Sequence, residues 1–179
     1  MLPSELNSKH KRTSCSCEKC VALCKTIPGP LAPGDFGQIA DYLGVEFSAE
    51  WLEAHFRADE PDNPQIPTTF GTMISTLSPA QREDGRCVFL TDDDQCRIHP
   101  VSPFGCSRVN ACSACQFTDE LINDLVDAIQ QDAPYALAWG QLHKDGMVSR
   151  SKEEQLADLK EAIDRIKRKD KSNGHGNPF

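Results

Sequence analysis

The sequence predicts a compact, mainly α-helical single domain with one small β-hairpin, held together by something other than a large apolar core. Three observations predict it. Apolar residues recur at three- and four-residue spacing in several capped segments, which is helical periodicity. One stretch alone reads as two short strands around a polar turn. The apolar share of 39% includes nine cysteines, and without them it falls to roughly a third, low for a globular interior.

The elements follow in order. Residues 1–14 carry Lys9, Lys11 and Arg12 with no apolar stretch behind them and read as a flexible N-terminal segment, not a signal peptide. Residues 15–169 form the domain. Ile27-Pro28-Gly29-Pro30-Leu31-Ala32-Pro33-Gly34 is a loop, since prolines bar regular helix and glycines admit turns. Asp35 is positioned to cap a helix bearing Phe36, Ile39, Ala40 and Leu43, with Gln38 three residues after the cap and Gly44 as the stop. Ser48 opens a second helix, through about Arg57, that carries Trp51, Leu52, Ala54 and His55 on adjoining turns.

Asp59 to Thr69 is rich in Pro, Asp and Asn and reads as a loop. Met73 to Leu77 is a short strand. Cys87-Val88-Phe89-Leu90 and Cys96-Arg97-Ile98-His99, joined by Thr91-Asp92-Asp93-Asp94-Gln95, form the hairpin. Thr118 caps a helix with the stripe Leu121, Ile122, Leu125, Val126 and Ile129, and Pro134 suits the first turn of another. Ser151 and Glu154 form a capping box for a final helix with Leu156, Leu159, Ile163 and Ile166 inward. Residues 170–179 read as a disordered tail.

Composition excludes several functions. A net charge of −8 and 26% charged residues oppose binding to phosphate backbones, so nucleic acid is not an expected partner. No run of about 18 apolar residues is present, so no membrane span is expected. With no leader in evidence, the expected location is the cytoplasm. There, lasting disulfides are rare, and clustered cysteines more often bind metal or perform redox chemistry.

The cysteines form two groups, Cys15, Cys17, Cys20 and Cys24, then Cys87, Cys96, Cys106, Cys112 and Cys115. A site drawing on both must be closed by the fold, and closing the long loop between them costs little extra, because the entropy penalty grows logarithmically with length. Cys17-x-x-Cys20-x-x-x-Cys24 brings three sulfurs within two helical turns or one loop, where thiolates can converge on one cation. Soft thiolates select zinc or iron, and four of them suit a tetrahedral zinc site and an iron–sulfur cluster equally. The candidate metal ligands are Cys17, Cys20, Cys24, Cys87, Cys96, Cys106, Cys112 and Cys115, with Cys15 a spare. Cys112 and Cys115 are read either as a second site or as solitary thiols; a thioredoxin-like role needs a βαβ context that is absent. His99 has C-x-x-H spacing from Cys96 and is either a ligand or a half-exposed turn histidine. His10, His55, His143 and His175 have no metal-spaced partner, and Asp92-Asp93-Asp94 reads as a solvated turn.

The amino-terminal cluster, Cys87-Val-Phe-Leu, the acidic turn, Cys96-Arg-Ile-His99-Pro100 and Pro103-Phe-Gly-Cys106 together resemble the YkgJ-type cysteine-cluster family, described as zinc- or iron-chelating. The resemblance runs from about Cys15 to Cys115. The chain departs from the family pattern at Leu23, where a third clustered cysteine would fall, at Ser102 in place of Arg before Pro103, and at Ser107 between Cys106 and Arg108. The resemblance implies metal binding, and some members carry an iron–sulfur oxidoreductase label.

These readings give a metal-stapled domain holding zinc or iron, including the option of a 4Fe-4S cluster, in a structural or metal-handling role with a protein partner as one use of its helical surface. The alternative is an iron–sulfur redox protein that passes electrons to an enzyme. No cofactor loop, acid/base pair or nucleophile constellation points to an enzyme; if the chain is one, it is of iron–sulfur oxidoreductase type. A structural zinc site contributes about 10 to 16 kcal/mol in model peptides, against about 5 to 15 kcal/mol of stability for a whole domain. Stripping the metal is therefore expected to unfold much of the chain.

Overall fold

Two glycines in the left-handed conformation, Gly34 (φ 88°) and Gly44 (φ 65°), bracket one of the seven α-helices in the computed structural model of the chain, which describes residues 3–10, 12, 17–58, 65–108 and 118–143. The helices are α1 (Pro3–Lys9), α2 (Glu18–Thr26), α3 (Asp35–Leu43), α4 (Ala49–His55), α5 (Phe104–Arg108), α6 (Asp119–Gln130) and α7 (Ala133–Leu142). Four short strands, β1 (Phe56–Ala58), β2 (Ile66–Pro67), β3 (Met73–Ile74) and β4 (Leu77–Pro79), make two antiparallel pairs, β1 with β4 and β2 with β3. About half of the described chain is helical, as expected.

Local signals produced the helices they predict. Ser48 Oγ accepts from Trp51 N–H at 3.1 Å to start α4, and Thr118 Oγ1 accepts from Leu121 N–H at 3.2 Å to start α6. Such caps satisfy amide groups that the first turn leaves without a helical partner. On α6, Leu121, Leu125 and Ile129 are buried, while Ile122 faces out. Pro134 sits in the first turn of α7, behind an Asp132 cap.

The strands correct the expected pairing. Cys87–Leu90 and Cys96–His99 meet at one bridge, Leu90 with Cys96, and Cys87 bridges instead to Gln81. Each segment folds on itself, with Leu90 N–H donating to Cys87 O at 3.0 Å and His99 N–H to Cys96 O at 3.1 Å. The cause is in the pattern: Val88-Phe89-Leu90 has no polar alternation, and a turn buries Phe89 and Leu90 together where a half-buried strand would expose one. One ladder joins segments far apart, Phe56 opposite Pro79 and Ala58 opposite Leu77, while the other is local, pairing Ile66 from the expected loop with Ile74, so the expected strand Met73–Leu77 is split between β3 and β4. α4 therefore stops at His55, and its expected last residues enter β1.

One contiguous apolar core runs from Leu6 of α1 through Phe36, Leu52, Phe56, Leu77, Phe89, Phe104, Ile129 and Tyr135. It is more extensive than the composition suggested. Tyr135 lies wholly inside it. Its hydroxyl donates to Leu31 O at 3.1 Å and accepts from Leu77 N–H at 2.7 Å, fastening the Pro-rich loop to β4. Leu31 N–H donates to Leu77 O at 2.7 Å, so this loop is threaded through the interior. The expected helix from Ser151, the tail 170–179 and most of the loop from Asp59 lie outside the described residues. Among the described residues, no helix is long and apolar enough to cross a membrane.

Candidate metal site

α2 runs toward the threaded loop with Cys20 and Cys24 on one face. The loop leaves α2 at Thr26 and at once crosses α5. A Cβ on Gly29 would overlap the backbone of Gly105 and Cys106, and a Cβ on Gly105 would overlap Pro30. The two chains can pass this closely only because both residues are glycine. Gly105 N–H donates to Pro30 O at 2.8 Å, and Gly29 N–H donates to Cys106 Sγ at 3.1 Å. Cys106 is thereby brought against the end of α2.

The other side is set by the tight turns. Cys87 N–H donates to Cys24 O at 3.2 Å, a direct backbone link between the early and late cysteine groups. Arg97 N–H donates to Phe89 O at 2.9 Å and, with the bridge at Leu90, positions Cys96. The result is a cavity of about 1030 Å³ whose walls include Cys20, Cys24, Cys87, Cys96 and Cys106.

Buried Asp35, read from the sequence as a helix cap, supports this wall. Its Oδ2 accepts from Ala32 N–H at 2.8 Å and from Phe104 N–H at 2.7 Å, joining the loop to the start of α5. Burial pushes its carboxyl up to about 6, opposed by those two amides and by Arg108 and Arg12. The rim carries a second device that the sequence did not suggest. Asp94, with φ 62°, pairs with Lys25 Nζ at 2.6 Å and with Arg86, tying α2 to the acidic turn. The hydrogen bonds and neighbouring cations hold its carboxyl below the usual range, Lys25 foremost. Asp92 and Asp93 are exposed as expected.

The thiols raise one another's cost of ionisation. Burial pushes Cys24 up, and Cys96 and Cys20 add to it. Cys87 rises to about 11, first from burial and then from Cys96 and Cys24. Burial raises Cys96, and it raises Cys106 well above the ordinary thiol value, with further contributions from Cys24, Cys87 and Cys96. Four sulfurs drawn from both halves of the chain thus share one electrostatic environment. Their neutral form is the comfortable one until a cation is present, and a cation reverses that preference.

The described residues divide the expected ligands. Cys20, Cys24, Cys87, Cys96 and Cys106 line the cavity; Cys17, at the N-cap of α2, is exposed and does not. Cys15, Cys112 and Cys115 lie outside the described residues. His99 lines the cavity half-exposed, and its carbonyl accepts from Arg12 at 3.3 Å and from Ser102 Oγ at 3.1 Å. Among the described residues, no three His, Cys, Asp or Glu side chains are arranged to hold a metal ion as they stand. The donor chemistry fits zinc or iron, and the walls bring the donors to one space without closing them on a point.

Comparison with protein families gives a match over residues 16–128 to the family model "CxxCxxCC: Putative zinc- or iron-chelating domain". No curated protein and no solved structure matches the chain.

Proposed function

Since the chain belongs to the CxxCxxCC family of zinc- or iron-chelating domains, we propose that Cys24, Cys87, Cys96 and Cys106 supply the thiolates of one metal site, in a structural or metal-handling role. The carrying observation is the meeting of Cys24 with the three later cysteines at one cavity, through a backbone hydrogen bond and mutual effects on ionisation. A bound zinc or iron would supply the positive charge that lets all four ionise. Buried Cys87 and half-buried Cys106 then exchange a thiol for a thiolate, and protons leave as the metal enters. The Gly29–Gly105 crossing and Asp35 hold the walls, and Lys25 adds a cation at the rim.

A second reading, an iron–sulfur centre that relays electrons, is favoured by the size of the cavity, about 1030 Å³, and by Cys20 as a fifth thiol on its wall. Metal analysis and absorbance of protein purified without oxygen separate the two. A colourless sample with stoichiometric zinc supports the first, and a brown sample with broad absorbance toward the blue supports the second. Protein purified without chelator that holds neither zinc nor iron contradicts both. The same metal count tests Cys112 and Cys115: two sites per chain bring them in, and one leaves them out.

A further inference from the structure

The cysteines of α2 differ in exposure along the helix, and this order has a direction. Cys17 is exposed at the N-cap, Cys20 is half-buried on the cavity wall, and Cys24 is half-buried deeper in, hydrogen-bonded through its carbonyl to buried Cys87. Side chains three and four residues apart on a helix are neighbours, with Cβ atoms about 5 to 6 Å apart, which sets Cys20 beside Cys24, as their mutual effect on ionisation shows, and Cys17 stands at the N-cap three residues before Cys20. From Cys17 to Cys24 the helix rises about 10 Å, from solvent to the cavity. Exposed Glu18 and Asp93 line the same cavity, whose cation Lys25 is paired with Asp94, and acidic groups there draw cations inward.

We infer that Cys17 and Cys20 form an entry relay that hands a divalent metal ion stepwise from solvent to the inner thiols, with Cys17 absent from the final ligand set. This rests on the inner site proposed above. The ion is held first by Cys17 and Cys20, next by Cys20 and Cys24, and finally by Cys24 with Cys87, Cys96 and Cys106. At each exchange the incoming thiol loses its proton to solvent and its sulfur bonds the metal. The outgoing metal–sulfur bond breaks, and that thiolate takes a proton back. No electrons change hands. Such a path lowers the barrier because the ion is never stripped of all its sulfur partners at once.

The test uses the full chain, reduced and metal-free, with zinc as the ion. Uptake is followed by stopped flow, and release by transfer to an excess of a chromophoric chelator. Cys17→Ser is expected to leave the dissociation constant unchanged and to slow uptake and release severalfold by the same factor, because their ratio is fixed by that constant. Cys24→Ser, by contrast, should weaken binding by at least about 10- to 100-fold, the range lost when even supporting residues of a metal site are removed. Weaker binding in Cys17→Ser would make Cys17 a ligand and overturn the relay; unchanged rates would overturn it as well. If wild-type protein takes up no zinc, or Cys24→Ser binds it normally, the inner site itself fails and the relay with it.

Discussion

The aromatic side of the molecule and the cysteine side share residues but are finished to different degrees. From Phe36 to Phe47, Trp51, Phe56 and Phe89, successive ring centroids lie 5.2 to 5.8 Å apart, and each ring has an apolar neighbour to close on. Two residues from Phe89, Cys87 faces a space bounded by thiols that resist ionisation. Aliphatic and aromatic groups stabilise one another by contact alone. Sulfurs that must become anions do not, and their region is complete only with a cation. The contrast separates what packing holds from what metal holds.

The largest expected effect comes from removing the metal. Chelation of the loaded, reduced protein should lower its melting temperature sharply, as loss of a structural zinc site would by about 10 kcal/mol in model peptides. At low temperature the near-ultraviolet signal of Trp51 and Trp139 should survive, because neither ring lines the cavity and Trp139 is buried with its Nε1–H donating to Ser75 Oγ at 3.0 Å. Loss of that signal would show that the aromatic side depends on the cysteine side. The reverse perturbation is Phe89→Ala, which removes a buried ring packed on His55 and Phe56. It should cost about 3 to 5 kcal/mol in metal-free and loaded protein alike; denaturant titration of both forms checks this.

Gly29→Ala acts between the two regions. Its Cβ has no space against Gly105 and Cys106, so the loop must lift from α5 at a cost of about 1 to 3 kcal/mol. Metal affinity should fall with stability, as a paired calorimetric measurement would show. Native affinity in this variant would mean that Cys106 does not need the crossing.

Helices α3, α4, α6 and α7 were legible in the sequence because their signals are local, whereas α1, with Leu6 buried, falls in the segment 1–14 read as flexible, and α5 was not read at all. Thr118, Ser48 and Pro134 each act within one turn, and the α6 stripe repeats its spacing in place. The strands were not, since β1 pairs with β4 across some twenty residues and each alternates over only three residues, too short a run to mark a strand. Asp35 was read for its own helix, but its carboxylate is spent on Phe104, far along the chain. The late cysteines were visible as a group. Which early cysteine joins them depends on the Gly29–Gly105 crossing, and a glycine in a Pro-rich loop and one in a short helix far along the chain carry no sign of facing each other. The acidic turn read as solvated because nothing local marks Asp94 as the partner of Lys25.

A smaller effect is expected with pH. The folded, metal-free Cys87 thiol ionises at about 11, against an ordinary value of 9.0. The unfolded chain therefore loses its proton first, and metal-free stability is full below pH 9 and falls as pH rises toward 11. Metal inverts the sign, because binding releases protons and strengthens as pH rises. Melting temperatures of both forms between pH 7 and pH 10 should diverge; parallel curves would place the metal away from these thiols.

The most direct measurement is the sulfur coordination of bound zinc by X-ray absorption, in wild type and in the single variants Cys24→Ser and Cys106→Ser. Four sulfur neighbours in wild type, with one fewer in each variant, is the predicted result. Unchanged sulfur coordination in either variant would contradict a site shared between the two halves of the chain.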